Sequence, residues 1–426
     1  MSTSLGFSAP TIHSARSFAT PAVGFKKGRI LVIMLAFSFL LEPKLFVKYP
    51  ILNYVYIVGA VFVFCYVCFR ALRVDIRLEA PLVFVILYRI ALFFPTLMSG
   101  GAILDWGYYS LTTFSMVALF SMVRDEGQLR ELIAAATYTL FLYLVVNLIT
   151  MILWPDGIVE NLFFLGMRTR VTEVVFVAIA ATVYLDYVEG RRLSVRTVAV
   201  ALVAIAQFVL KDVVTAYVGV AVLAIGLVFC KFLNVRNSGK AFKVIFIACI
   251  GLSIALCFYH AQYLFKDFIE NVLNRSVSLS YREGIWNVGI SLFGSSPLFG
   301  YGIVDDGNHI QIAQSWAVES WQAHNNLLQI LLDGGLVALV CFSAFVWSVG
   351  SALAKNVGSY PRRSVLLAVW LAYNVMSVTE IFVLQNYYFL FLAMSYAIAR
   401  VGLTPQGACR EKGVGTDAIL HYRPLS

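Results

Sequence analysis

The sequence predicts an all-α fold, a polytopic membrane helical bundle. Three observations predict it. The composition is too apolar for a water-soluble core, about twelve apolar stretches have spanning length, and basic residues gather in alternate connections. Of 426 residues, 60% are hydrophobic and 13% charged, against about 45–50% and about 25% in soluble domains. That excludes a soluble enzyme, a secreted disulfide scaffold and a disordered chain. Aromatic residues make up 15%, with 33 Phe and 22 Tyr, which suits lipid-facing and interfacial positions.

Taken in order, the chain starts with a polar segment, 1–29, ending in Lys26, Lys27 and Arg29. No small-residue cleavage site follows the first apolar run, so that run is expected to be an uncleaved span. Candidate spans lie near 30–47, 51–69, 80–98, 106–123, 131–153, 171–188, 195–210, 213–230, 242–260, 325–350, 364–384 and 387–403. Glu42, Pro43 and Lys44 interrupt the first, and the seventh is short. Spans one to nine fill 30–260, a long loop fills 261–323, spans ten to twelve fill 324–403, and 404–426 form a polar tail.

The charges set the orientation. There are 32 Lys and Arg against 23 Asp and Glu, a net charge of +9. With the N-terminus inside, 23 of the 32 basic residues fall in inside segments, among them Arg70, Arg73, Arg77, Arg124, Arg130, Arg191, Arg192, Arg196, Lys355, Arg362 and Arg363. Eight fall outside: Lys44, Lys48, Arg168, Arg170, Lys211, Lys266, Arg275 and Arg282. The bias recurs at every inside loop, as the positive-inside rule requires. The expected setting is a bacterial inner membrane, with both termini cytoplasmic and 261–323 outward. The basic excess is topogenic, so no nucleic-acid partner is expected. Cys65 and Cys68 form a CxxC with no second pair or nearby His to complete a site, and read as packing residues.

A loop of some sixty residues is too long for a connector. Trp286, Phe293, Phe299, Trp316 and Trp321 are spaced for short interfacial helices, so the loop is expected to be ordered over the bundle. Arg282 opens one such helix. Pro297, Gly300 and Gly302 mark a tight turn whose backbone can approach another group closely. His324 and Asn325 stand at the outer boundary just before the tenth span, and Asp333, Gly334 and Gly335 follow. An imidazole there is partly desolvated and can act as a base near neutral pH, although a lone interfacial His is more often structural. Arg168, Arg170 and Lys211 are outward cations at membrane level, costly unless paired or functional. With Arg282 they could form a cationic pocket for phosphate oxygens; the bland reading is snorkelling to lipid. Arg89, within the third span, reads as a structural charge paired with Glu173 or Asp105, and Glu380 as a partner for an outward cation. Asp305, Asp306 and His309 make a weak metal trio, and no Walker or dinucleotide motif occurs, so no metal or cofactor is expected.

These residues resemble a known family. Arg282 with Trp286, the 297–302 turn, and His324-Asn325 followed by Gly334-Gly335 are similar to the O-antigen ligase and O-antigen polymerase superfamily, including bacterial exopolysaccharide polymerases. The motifs cover about 280–340, and the topology covers the whole chain. The resemblance implies a metal-independent, inverting, integral-membrane glycosyltransferase. Its donor would be a glycan on undecaprenyl diphosphate, and its acceptor another lipid-linked glycan (polymerase) or the lipid A core (ligase). It implies that His324 acts on the acceptor hydroxyl and that Arg282 holds the diphosphate. Membrane lipids, a chain-length regulator and a flippase are the further partners it suggests. Many relatives carry Ser-Arg or Thr-Arg where this chain has Lys211-Asp212, and often an Asn after the basic residues where it reads Arg168-Thr169-Arg170-Val171-Thr172-Glu173. The second diphosphate cation is therefore Arg170, Arg168 or Lys211, with Asn325 a further substrate contact. Polymerase is the leading reading and ligase the alternative. A polysaccharide transporter or flippase fits the topology but leaves the long loop with Arg282 and His324 unexplained, and the chain lacks the repeats such proteins carry.

Overall fold

The computed structural model describes residues 27–73, 78–159, 161–191, 193–232, 235–271, 282–304, 307–313, 318–355 and 363–401. Arg77, Arg192, Arg275, Asp305, Asp306, Trp316, Arg362 and residues 1–26 (with Arg16 and Lys26) and 402–426 lie outside the described residues.

The helices in chain order are α1 (Lys27–Leu40), α2 (Lys44–Val47), α3 (Pro50–Arg73), α4 (Ala80–Met98), α5 (Ile103–Ser121), α6 (Glu126–Leu153), α7 (Val171–Val188) and α8 (Val195–Lys211). They continue with α9 (Val214–Phe232), α10 (Val235–Tyr259), α11 (Lys266–Asn271), α12 (Arg282–Ser295), α13 (Asn326–Ala354), α14 (Arg363–Met376) and α15 (Asn386–Val401). Each of the twelve apolar stretches has become a helix. Six, namely α3, α4, α6, α7, α10 and α13, are long and apolar enough by themselves to cross a membrane. The chain is an integral, all-α membrane protein. The long loop adds one departure from helix, a two-stranded antiparallel ribbon of β1 (Ile310–Ala313) and β2 (Val318–Trp321) with Ile310 opposite Trp321.

Local chemistry sets the helix ends. Asp125 and Ser194 cap α6 and α8 by accepting from the backbone N–H of Gln128 and Thr197. Pro81 stands in the first turn of α4, where its missing N–H costs nothing. The first apolar stretch is cut short as its charges foretold. α1 stops at Leu40, and α2 restarts at Lys44 behind Pro43. The eleventh stretch, expected to reach 384, ends as helix at Met376.

In the centre stands α7. Of the residues in its apolar window 83% are buried, against 17% in α3 and 22% in α10. It packs against α6, α8, α14 and α15, while α13 packs on α4, α10 and α15. The peripheral helices point Leu31, Ile51, Phe62, Leu72 and Ile225 outward, each more than two-thirds exposed. So much bare apolar surface is compatible with lipid and not with water.

Two ends of the bundle differ in chemistry. At one, Arg400 pairs with Glu79 (2.6 Å), Arg196 with Asp186 (2.6 Å) and Arg29 with Glu131 (3.6 Å). At the other, the long loop docks on a helix end through the Ala102 N–H on the Ile303 carbonyl (2.8 Å), and the Asn386 amide at the start of α15 donates to the Leu40 carbonyl at the end of α1 (3.0 Å). Arg89 does not draw on Glu173. It donates to the Thr113 hydroxyl (2.6 Å), and its guanidinium lies 5.1 Å from the Phe389 ring centroid. A planar, weakly hydrated cation tolerates that aromatic cradle. Glu173 goes to Arg170 instead.

The loop end is organised by a break in α13. Gly334 and Gly335 leave helical geometry, with φ +61° at Gly335. The break frees carbonyls before it and N–H groups after it, and the 297–302 turn takes up both sets. Tyr301 and Gly302 donate to the carbonyls of Leu332 (2.7 Å) and Asp333 (2.8 Å), while Leu336 and Val337 donate to those of Pro297 (2.9 Å) and Leu298 (3.2 Å). The close approach expected of this turn is therefore an approach to α13. A Cβ at Gly335 would lie 2.3 Å from the Leu298 carbonyl carbon, and one at Gly302 would lie 2.2 Å from the Thr96 Cα. These glycines are required by contact as well as by conformation.

Candidate active site at the loop end of the bundle

His324 immediately precedes Asn325, the N-cap of α13. It adopts φ +48°, a left-handed conformation that a side chain disfavours by roughly 1–2 kcal/mol. Neighbouring bonds over-determine this conformation. The Ala323 carbonyl accepts from the Trp286 indole (3.0 Å), and the Ala323 N–H donates to Gln329 Oε1 (3.1 Å). Trp286 is fully buried. Its ring thus fixes α12, and with it Arg282, against the residue before His324.

A second set of bonds brings in residues 377–383. Asn325 accepts from the Leu328 N–H (2.9 Å) and donates to the Val378 carbonyl (2.8 Å). Asn326 Oδ1 accepts from the N–H groups of Phe382 (2.9 Å) and Val383 (2.8 Å). This explains why the eleventh helix stops early, because its last apolar residues are spent on the α13 N-terminus. The segment carries Glu380, which pairs with Arg282 at 3.2 Å and accepts from the Thr215 hydroxyl at 3.0 Å.

Arg170 closes the third side, from a short 3-10 turn, Arg168–Arg170, that leads into α7. It pairs with Glu173 at 2.8 Å and donates to Gln322 Oε1 at 3.1 Å, two residues before His324. With its amide oriented to satisfy both neighbours, Gln385 accepts from Arg170 (2.6 Å) and donates to Glu173 (3.3 Å).

These neighbours set the charge of His324. Burial comes first and the Arg282 guanidinium second in holding its imidazole down to about 4; Glu380 acts the other way, and Arg170 adds to the depression. The ring is therefore neutral at physiological pH, with an unprotonated nitrogen ready to accept. Trp321 lies beside it, ring centroids 6.4 Å apart.

Three of the sequence-predicted residues, His324, Arg282 and Arg170, thus converge. The other three do not join them. Lys211 donates to the Pro155 carbonyl (2.5 Å) and lies over the Phe163 ring (4.6 Å). Arg168 is exposed. Asn325 is wholly buried, with both ends of its amide committed to capping and tethering. The sequence points to Glu173 only as a partner for Arg89 and as a departure from relatives, and it does not single out Gln322. The Arg170–Glu173 spacing of one helical turn was the available signal. His309 belongs elsewhere, in a buried contact with Asp333 (2.7 Å) that also receives the Gln329 amide (2.8 Å). Among the described residues no group of three His, Cys, Asp or Glu could hold a metal ion. The described cysteines, Cys65 and Cys68 among them, are free thiols.

An apolar bundle with His324 between two arginine–glutamate pairs under one long loop is the frame in which similarities to known sequences can be placed. Residues 161–343 match the family model described as O-antigen ligase. It is similar to a putative polysaccharide ligase of Rickettsia felis, 26% identical over 144 residues that make up 32% of this chain and 35% of that protein. The chain thus spans about a third of the length of the curated relative it matches. The matched region contains Arg168, Arg170, Lys211, Arg282 and His324, whereas Glu380 lies beyond it.

Proposed function

We propose that this protein is a membrane glycosyltransferase that moves a glycan from undecaprenyl diphosphate to an acceptor hydroxyl at the outer face of a bacterial inner membrane, with both termini cytoplasmic. The observation that carries the reading is the convergence of Arg282, Arg170 and a neutral His324 in one cleft at the loop end.

The chemistry follows from those groups. The acceptor oxygen attacks the anomeric carbon from the face opposite the diphosphate, so the configuration inverts and no covalent enzyme intermediate forms. The carbon–oxygen bond to the diphosphate breaks, and its electron pair leaves with the phosphate. Arg282 and Arg170 stabilise that developing charge as forked donors, so the step needs no metal. His324 accepts the acceptor proton. The two arginines are held by Glu380 and Glu173. A diphosphate shares or displaces those carboxylates, and its charge raises the basicity of His324 when a base is required.

The acceptor separates two readings. The descriptions of the matched family and of the relative both say ligase, which favours transfer of a finished chain to the lipid A core. The resemblance to compact exopolysaccharide polymerases favours polymerisation, with a second lipid-linked glycan as acceptor. The test is a deletion strain rescued with wild type or His324→Ala, sizing lipid-linked and transferred glycan separately. Single lipid-linked repeats without longer chains mean a polymerase. Long lipid-linked chains that never reach an acceptor mean a ligase. Full rescue by His324→Ala refutes the assignment.

A further inference from the structure

Beside Arg170 lies a recess that the transfer chemistry does not use. It is a notch lined by Glu42, Lys44, Tyr108, Tyr109, Asn386 and Tyr387. Four elements meet there: the α1–α2 connection, the start of α2, the first turns of α5 and the start of α15. It opens at the same end of the bundle as His324, because Gln385 lines the notch and also bridges Arg170 and Glu173. Gly166 packs between the two sites, where a Cβ would meet both Lys44 (3.1 Å) and Arg170 (3.4 Å).

The polar groups of the notch are arranged but not all satisfied. Lys44 donates to the Tyr109 hydroxyl (3.1 Å) and lies over its ring. Asn386 is fixed by the Leu40 carbonyl (3.0 Å) and Thr112 (3.3 Å). By contrast, the Tyr387 hydroxyl is buried without a hydrogen-bond partner and Tyr387 is only 4% exposed, while Glu42 faces the Tyr108 hydroxyl. A buried hydroxyl left open costs about 1–3 kcal/mol. Such groups persist where a ligand or water completes them. One acid stands against one base, so the notch has no net attraction for phosphate. Phenol rings, an amide, a carboxylate and an ammonium together suit a polyhydroxyl compound, which offers C–H edges to the rings and hydroxyls to the polar groups.

We propose that this notch is a sugar subsite, which takes the hydroxyl-bearing edge of one residue of the glycan and thereby registers the chain against His324. The identity of the sugar rests on the transfer reading; the existence of the subsite does not. Donor and acceptor glycan share this chemistry, and the test separates them.

Full-length protein in lipid nanodiscs is titrated by calorimetry with the oligosaccharide released by mild acid from the host's lipid-linked glycan. Wild type is expected to bind it saturably. Glu42→Gln and Tyr109→Phe each weaken binding about tenfold, the loss of one good polar contact, with unchanged melting temperatures. Lys211→Met, which lies away from both sites, leaves it unchanged. Pre-loading with undecaprenyl-diphosphate-linked glycan blocks the oligosaccharide if the subsite belongs to the donor, and spares it if it belongs to the acceptor. No binding by wild type, or wild-type affinity in both notch variants, overturns the proposal. Oligosaccharide binding that depends on Glu42, in a protein that transfers no glycan, leaves the subsite standing and removes the transferase reading instead.

Discussion

His324 offers the sharpest quantitative test, because its charge state follows from named neighbours. Burial and Arg282 hold its imidazole at about 4, below an ordinary value of 6.5. That interval corresponds to about 3 kcal/mol. The sign is definite. In the unfolded chain His324 takes up a proton as pH falls through 6.5, whereas the folded protein does so only near 4. The unfolded state binds more protons across that window, so stability is lost as pH drops from 6.5 to 4 and is fully present above it. Arg282→Gln removes the second-largest cause and leaves the largest, so His324 then titrates above its wild-type value yet below 6.5. The assay is nitrogen-15 NMR of histidine-labelled protein in nanodiscs. The chain has five histidines, and His324→Gln identifies the resonance by its disappearance. A wild-type midpoint at 6.5, or an unmoved midpoint in Arg282→Gln, refutes this account of the cleft.

Three other perturbations probe the frame around it. Gly335→Ala combines φ +61° with a Cβ 2.3 Å from the Leu298 carbonyl carbon and should cost at least about 1–3 kcal/mol; a lower melting temperature and new proteolysis within 297–302 are the readouts. Asn326→Ala strands the N–H groups of Phe382 and Val383 at about 1–3 kcal/mol, while Asn326→Asp keeps the acceptor and recovers much of that loss. Lys211→Met should leave glycan assembly near wild type, because Lys211 is engaged with Pro155 and Phe163; a defect as deep as that of Arg282→Ala in the same rescue assay would return Lys211 to the site.

The helices were legible because a lipid-facing helix announces itself by composition alone, and α4 and α7 match their expected spans closely. Where helices end was harder. Glu42, Pro43 and Lys44 marked the stop of α1 locally, whereas α14 stops at Met376 because Asn325 and Asn326, some fifty residues earlier, seize the backbone beyond it. No local pattern carries such a tertiary instruction. In the site, His324 and Arg282 stood out as polar residues in charge-poor segments. Asn325 stood beside His324 in sequence and so looked like a ligand contact, but a helix N-terminus turns successive side chains in different directions, and this one faces inward. Glu380 was visible as an outward acid, and only the fold could assign it to Arg282.

The clasp between the 297–302 turn and the break in α13 decides what counts as a part. Four backbone bonds join the turn to Leu332, Asp333, Leu336 and Val337, so the first two turns of α13, with His324 at their head, belong to the loop more than to the membrane helix they begin. A chimera that exchanges loops with a relative must therefore carry the helix through Val337. One cut at His324 would separate the turn from the peptide groups it was shaped to satisfy. Inheritance faces the same boundary, since a new loop becomes useful only together with the half-helix that answers it.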